Sequence, residues 1–387
     1  MLRRIFLGIH VASMLVCFSS MGYAATSSSN SQNTMDIYKD SLLLDSDNKS
    51  FFNIDFLYVQ PSSNNLKYAT FVSGTQPYSQ SWHYLQLNPS YHPAFDVGLH
   101  YVLHHSLYSI DVDWTHLNSN DSSSKQASTN TNLTTVEFVA PPFEMSPPVF
   151  GIKHVDSNVN FSFDNILLNI DKKVDFTSHI HTRFFGGLDI LHMNETIKTT
   201  FSDYAGSPPI PPYSYPLPPD PLFSFELENE SKFLGIGPDI GLDVRYVADS
   251  GFGVFGEFVG SLTAGAIQAV DNFTSTSTRL VTAQIGTSHQ QITTPNMAQV
   301  VFGVDSKLGV FYNYKGHSIP DLTIQLGYRM ANYFNAISMI NPQTLVQPGT
   351  DVLTPEFSTG TMAIVSTDAS SHPFGFNGPF LSLNIAV

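Results

Sequence analysis

From Lys232 to Tyr246 the chain reads KFLGIGPDIGLDVRY, with Leu234, Ile236, Ile240, Leu242, Val244 and Tyr246 on even positions and Asp239, Asp243 and Arg245 on odd ones. A strand sends successive side chains to opposite faces, so the segment predicts a strand with one apolar and one charged face. The pattern recurs along most of the chain. Phe52, Ile54, Phe56 and Tyr58 alternate with Asn53 and Asp55, and Phe95, Val97, Leu99 and Tyr101 with Asp96, Gly98 and His100. Tyr108, Ile110, Val112 and Trp114 oppose Asp111 and Asp113, while Ile166, Leu168 and Ile170 oppose Asn169 and Asp171. Further strands follow at Arg183 to Ile190, Val254 to Thr263, Val300 to Tyr312, Leu322 to Met330 and Leu381 to Val387.

The gaps between these strands alternate in length. Short ones near 102–107, 172–178, 247–252 and 315–320 exchange with long ones near 61–93, 118–157, 195–228, 266–296 and 335–373. Short turns at one end and long loops at the other predict an all-β fold: a transmembrane antiparallel up-and-down β-barrel of about ten strands, short turns periplasmic and long loops extracellular. A hairpin hidden in a long loop, at Trp82 to Leu87 or Leu133 to Val139, raises the count to twelve. Tyr101, Tyr108, Tyr246, Tyr312 and Tyr314 flank the short turns, and Tyr58, Trp114 and Tyr333 the other ends, which predicts two aromatic girdles.

Composition agrees with a wall that faces lipid. Charged residues make up 13% of the 387 positions, about half the usual ~25% of a soluble domain. No segment after the N-terminus is long and apolar enough for a spanning helix, so a bilayer reading requires a closed barrel. Residues 1–24 read as a cleaved signal peptide: Arg3 and Arg4, an apolar run from Ile5 to Phe18, then Gly22-Tyr23-Ala24. A Ser/Asn-rich linker occupies 25–50, and the barrel 51–387. Removing Arg3 and Arg4 leaves 15 basic against 32 acidic residues, a net charge of −17, which argues against nucleic acid as a partner. The single cysteine, Cys17, lies in the signal, so the mature chain carries no disulfide framework or thiolate metal site.

Four stretches carry a resemblance: FFNIDFLYVQPSSNNLKYA, RFFGGLDIL, FLGIGPDIGLDVRYVADSGFGVFGEF and the closing FNGPFLSLNIAV. In this order they resemble the Legionella-type major outer membrane protein family, over most of the mature chain but not its long loops. The resemblance implies an outer-membrane β-barrel acting as a porin, with surface loops that some members use in contact with host cells. The chain departs from outer-membrane barrels in ending on Val387 rather than an aromatic residue. It also lacks the mature cysteines that would cross-link barrels.

The strand phases place Asp55, Asp96, Asp111, Asp113, Asp171, Asp189, Asp239, Asp243, Glu257 and Asp305 on the inward face, opposed by Arg183, Arg245, Lys307 and Arg329. An acidic lumen concentrates cations, which predicts a cation-preferring channel for passive diffusion of small hydrophilic solutes. The alternative is a surface barrel, adhesive or structural, whose lumen is filled by these groups pairing with one another.

Other chemistry is weakly signalled. Asp111, Asp113 and His116 lie close in sequence but lack a matched nucleophile, and the chain is not expected to be an enzyme. His179 and His181 share a strand face and with His100 form a candidate metal group, yet that spacing is common in non-binding strands, and no metal or cofactor is expected. Gly235, Gly237 and Gly241 lie within a strand with no following helix, so they do not form a phosphate-cradling loop. The stretch SPPIPPYSYPLPPDP, Ser207 to Pro221, predicts a stiff external loop, and the tract from Asn118 to Thr135 an exposed one. Expected partners are the lipid bilayer with its lipopolysaccharide, the outer-membrane assembly machinery, a host-surface ligand and further copies of the chain.

Overall fold

The structure is a computed structural model that describes residues 50–75, 79–103, 108–128, 135–142, 145–146, 152–204, 220–278, 285–314, 321–346 and 362–386. The signal and linker readings, and nearly all of the proline-rich stretch, lie outside these residues.

Fifteen strands form among the described residues. In chain order they are β1 (Phe51–Ser63), β2 (Lys67–Thr75), β3 (Ser79–Gln86), β4 (His92–Val102), β5 (Tyr108–Gln126), β6 (Thr135–Ala140), β7 (Met145–Ser146) and β8 (Ile152–Asp175). There follow β9 (Ile180–Tyr204), β10 (Asp220–Val247), β11 (Phe252–Thr278), β12 (Ile285–Thr293), β13 (Met297–Tyr314), β14 (Leu322–Val346) and β15 (Met362–Ala386). Ten of them close a ring, β1-β4-β5-β8-β9-β10-β11-β13-β14-β15, and β15 returns to β1 with Phe51 opposite Ala386. Every neighbour in the ring is antiparallel. Closure removes both sheet edges, which a bilayer demands because an unpaired backbone group has no water to bond there.

The candidate hairpins do not widen the ring. Trp82 lies in β3 and Val139 in β6, and both strands flank β2 in a separate three-stranded sheet. β12 pairs with β11 from Val270 to Thr278, where β13 no longer reaches, so it extends the wall upward instead of adding a stave. At the short-turn end, Ala248 to Gly251 close β10 onto β11, and Gly251 takes φ +84°, a left-handed conformation that suits glycine.

The strands run well past the expected loop boundaries. β5 continues through the Ser/Asn tract to Gln126, paired with β8 as far as His154, so Asn118 to Gln126 is strand and not loop. Likewise β9 extends to Tyr204, β10 begins at Asp220, β11 reaches Thr278 and β14 reaches Val346. The reason is a reversal of phase within single strands. On β10, Leu234, Ile236 and Ile240 are exposed on the outer face, whereas nearer the loop end Phe223, Phe225, Leu227 and Phe233 are buried inside and Lys232 is exposed outside. No register shift marks the crossing, since β10 stays in step with β9 from Ser224 to Tyr246. The lower wall is apolar outside and charged within, as lipid requires. The upper wall is polar outside and apolar within, like an ordinary water-surrounded sheet.

Outward tyrosines mark the rims. Tyr101, Tyr108, Tyr246, Tyr312 and Tyr314 are exposed near the short turns, and Tyr58 and Trp114 near the upper border, where Tyr58 stacks on Tyr91 at 5.4 Å. Tyr333 is not part of the girdle. It shares the inward phase of Arg329 and Ala331 and is buried.

Candidate functional site: the barrel interior

All fourteen charged residues named for the lumen project from the inner face of the ring, and most of them are bound to one another. Arg183 on β9 places its guanidinium 2.6 Å from Asp111 on β5, 3.7 Å from Asp171 on β8 and from Asp243 on β10, and 3.6 Å from Glu257 on β11. Arg245 donates to Asp243 at 2.9 Å. Lys307 on β13 reaches Asp55 on β1 at 3.1 Å and Asp96 on β4 at 3.5 Å. Arg329 on β14 donates to Asp305 at 2.6 Å, to Asp96 at 2.9 Å and to Thr115 at 3.2 Å. Since β15 and β1 separate β14 from β4, the bond from Arg329 to Asp96 reaches across the lumen, whereas that to Asp305 joins neighbouring staves. Asp113, Asp189 and Asp239 complete the inward set, with Asp189 accepting a bond from Asn165.

Glycine makes some of this packing possible. A Cβ on Gly241 would fall 2.1 Å from the ring of Phe185, so the absence of a side chain there admits the aromatic ring beneath Arg183. The charged layer retains a cavity of about 70 Å³, lined among others by Asp55, His100, Asp111, Arg183 and Lys307, which is room for a few waters.

Above the charges lies an aromatic layer. Phe163 on β8 packs at 5.2 Å from Tyr333 on β14 and at 5.5 and 5.3 Å from Phe374 and Phe376 on β15, ring centre to ring centre. β8 and β14 stand five staves apart in a ring of ten, so these contacts span the full width of the barrel. Phe163 and Phe374 are both fully buried.

Two inward-folded segments complete the upper filling. β14 breaks step with β15 between Tyr333 and Ile337, where Asn335 takes φ +60°. Beyond the break, Ile340 accepts from and donates to the side-chain amide of Asn229 on β10, both at 3.0 Å, and the Ser338 amide donates to Ser231 Oγ at 2.9 Å. From the opposite side Asn65, in the β1–β2 turn, donates to Glu195 on β9 at 2.6 Å. Glu195 lies above the lipid-facing band, and burial pushes its carboxyl up to about 8, only partly offset by that bond. Asp271 on β11, opposite Asn229, is likewise fully buried with no hydrogen bond to either oxygen among the described residues, and burial raises it to about 7.

Two candidate groupings are not assembled. His116 projects from the outer face to Asp164 at 2.8 Å, whereas Asp111 and Asp113 face inward, because an odd separation along a strand puts residues on opposite sides. His179 binds the Val247 carbonyl and His181 binds Asp175, both at the short-turn end, while His100 meets Asp111 and Asp171 inside. Asn229, Ser231, Glu195 and Asp271 were not singled out by sequence. Their signal was the alternation of Phe223, Phe225 and Leu227 on the phase opposite to the lipid-facing one.

Among solved structures the chain is similar to the outer membrane protease OmpT from Escherichia coli, at 10% identity and a TM-score of 0.37, covering 88% of this chain and 97% of that one. It is also similar to a Pseudomonas aeruginosa FadL homologue, at 9% identity and a TM-score of 0.28, covering 87% and 90%. The P. putida toluene transporter TodX matches at 7% identity and a TM-score of 0.27, covering 88% and 90%. No curated protein sequence matches. Residues 46–387 match the family described as Legionella pneumophila major outer membrane protein precursor, and with the closed ring of lipid-facing strands the chain therefore belongs to this family and resides in the bacterial outer membrane.

Proposed function

We propose that this protein is an outer-membrane barrel closed at rest, which holds a rigid cap of paired strands above the bilayer for contact with the cell's surroundings. The observation that carries this reading is the aromatic contact of Phe163 with Tyr333, Phe374 and Phe376 across the whole lumen, stacked on ion pairs that also cross it. A layer made almost wholly of aromatic rings offers a hydrated solute little in exchange for its water. Its role is non-catalytic, and its partners are lipopolysaccharide at the wall and a surface ligand at the cap.

A second reading is a porin that conducts cations once the cap moves. It is favoured by the ten inward carboxylates set against four basic groups in the lower lumen. Single-channel recording in planar bilayers separates the two. Wild type is expected to be silent apart from rare openings, and Asn229→Ala, which frees Ile340 from β10, is expected to raise their frequency. Steady wild-type steps with a cation-directed reversal potential would establish the porin and overturn the closed barrel.

A further inference from the structure

We propose that His100, Asp111 and Asp171 form a binding site for a divalent transition-metal ion of the zinc class inside the short-turn end of the barrel. The three residues come from β4, β5 and β8, where His100 is the direct cross-strand partner of Asp111 and Asp171 that of Ser109. Each offers one donor atom, all within 4.8 Å of one another, and all three side chains are buried.

The surrounding bonds prepare these atoms. Ser109 donates to Oδ1 of Asp171 at 2.6 Å, which leaves Oδ2 buried without a hydrogen bond among the described residues, 3.4 Å from His100 Nδ1. Arg183 donates to Oδ2 of Asp111 at 2.6 Å and leaves Oδ1 against His100. Phe51 stacks on the imidazole, centroids 4.4 Å apart and planes within 17°, and fixes its orientation. Each carboxylate thus has one oxygen held by an outer donor, while Asp111 Oδ1 shares with His100 Nδ1 a proton that a metal ion would replace and Asp171 Oδ2 faces the same point with Arg183 3.7 Å away. One imidazole nitrogen and two carboxylate oxygens suit zinc and its neighbours better than calcium or magnesium, which prefer oxygen alone. Water from the adjoining cavity supplies the open position.

Charge balance is an independent argument. Asp111, Asp171, Asp243 and Glu257 surround Arg183 within 3.7 Å, and Arg245 adds a second positive charge through Asp243. Four carboxylates against two guanidinium groups leave two negative charges in a low-dielectric interior. Asp113 and Lys307 face the same cavity, so the interior as a whole stays net acidic and a dication beside His100 offsets part of that charge.

The test uses the full-length barrel folded in detergent, stripped with a chelator and titrated calorimetrically with zinc. One tightly bound equivalent is expected, weakened at least about 100-fold in Asp171→Asn and His100→Asn and unchanged in His116→Ala on the outer face. Absence of a tight equivalent in folded wild type, or equal affinity in the inner variants, overturns the site. If those variants fail to fold, the visible spectrum of cobalt-loaded wild type decides, and a spectrum matching aqueous cobalt rejects the proposal.

Discussion

Arg329 on β14 donates to Asp96 on β4 at 2.9 Å although two staves of the wall, β15 and β1, stand between them. The guanidinium also binds Asp305 and lies 5.5 Å from the centre of the Phe376 ring, so a single side chain ties the charged layer to the aromatic layer above.

Replacing Arg329 with Met keeps much of the volume but leaves the half-buried Asp305 without its guanidinium partner and the buried Asp96 with Lys307 alone. A loss of about 3–5 kcal/mol in unfolding free energy is expected, since removal of one partner strands the other's charge. Urea titration read by heat-dependent gel mobility measures it. Adding Asp305→Asn to the variant should recover part of the loss, whereas a wild-type midpoint for Arg329→Met would mean that the bond contributes little.

The cap should loosen as pH rises. The carboxyls of Glu195 and Asp271 titrate at about 8 and about 7 in the folded protein, above ordinary values of 4.5 and 3.8. Below about pH 3 both states are protonated and stability is full. As pH rises the opened chain ionises first, so stability falls until the folded groups ionise near 7 and 8, after which the loss is constant. The loss is bounded at roughly 4 kcal/mol per group, by the free energy of a shift of about three pKa units. Hydrogen exchange at the Ser338 and Ile340 amides should accelerate from pH 5 to pH 8 by more than the intrinsic rate. Glu195→Gln with Asp271→Asn should remove the excess.

The border between the two kinds of wall predicts opposite responses to charge. Ile240 is 64% exposed on the lipid-facing side of β10, and Ile240→Arg should cost about 2–4 kcal/mol on folding into vesicles. Asn160 is exposed on β8 above the border, and Asn160→Arg should change stability by less than about 0.5 kcal/mol. Equal costs at the two sites would place Asn160 in the bilayer too.

The lower barrel was legible because each strand there has a lipid face and a charged face, as in Asp239, Asp243 and Arg245 against Ile240, Leu242 and Val244. The upper barrel was not, because FSFELENESKF keeps its alternation but exchanges its faces at Phe233 and Leu234, so a search for one continuous apolar phase stops there. Tyr333 was misplaced for a related reason: nearness to the strand end does not determine the side, and parity does. The charged site was legible as a list of residues but not as pairs. Which of fourteen inward groups meet across a lumen depends on strand tilt and ring order, as the contact of Lys307 with Asp55, 252 positions away, illustrates.

The exchange of faces at Lys232 also sets a height. From Leu234 to Tyr246 the apolar outer face of β10 spans about 30 Å at a tilt near 40°, matching a band of about 25 Å plus its rims. The paired strand above it, from Lys232 back to Ser224, adds roughly 20 Å at the same rise and tilt. The ring of ten strands is in effect a pedestal. Its topmost side chains stand clear of the apolar band by that height, so a ligand of the proposed cap would not need to reach the lipid.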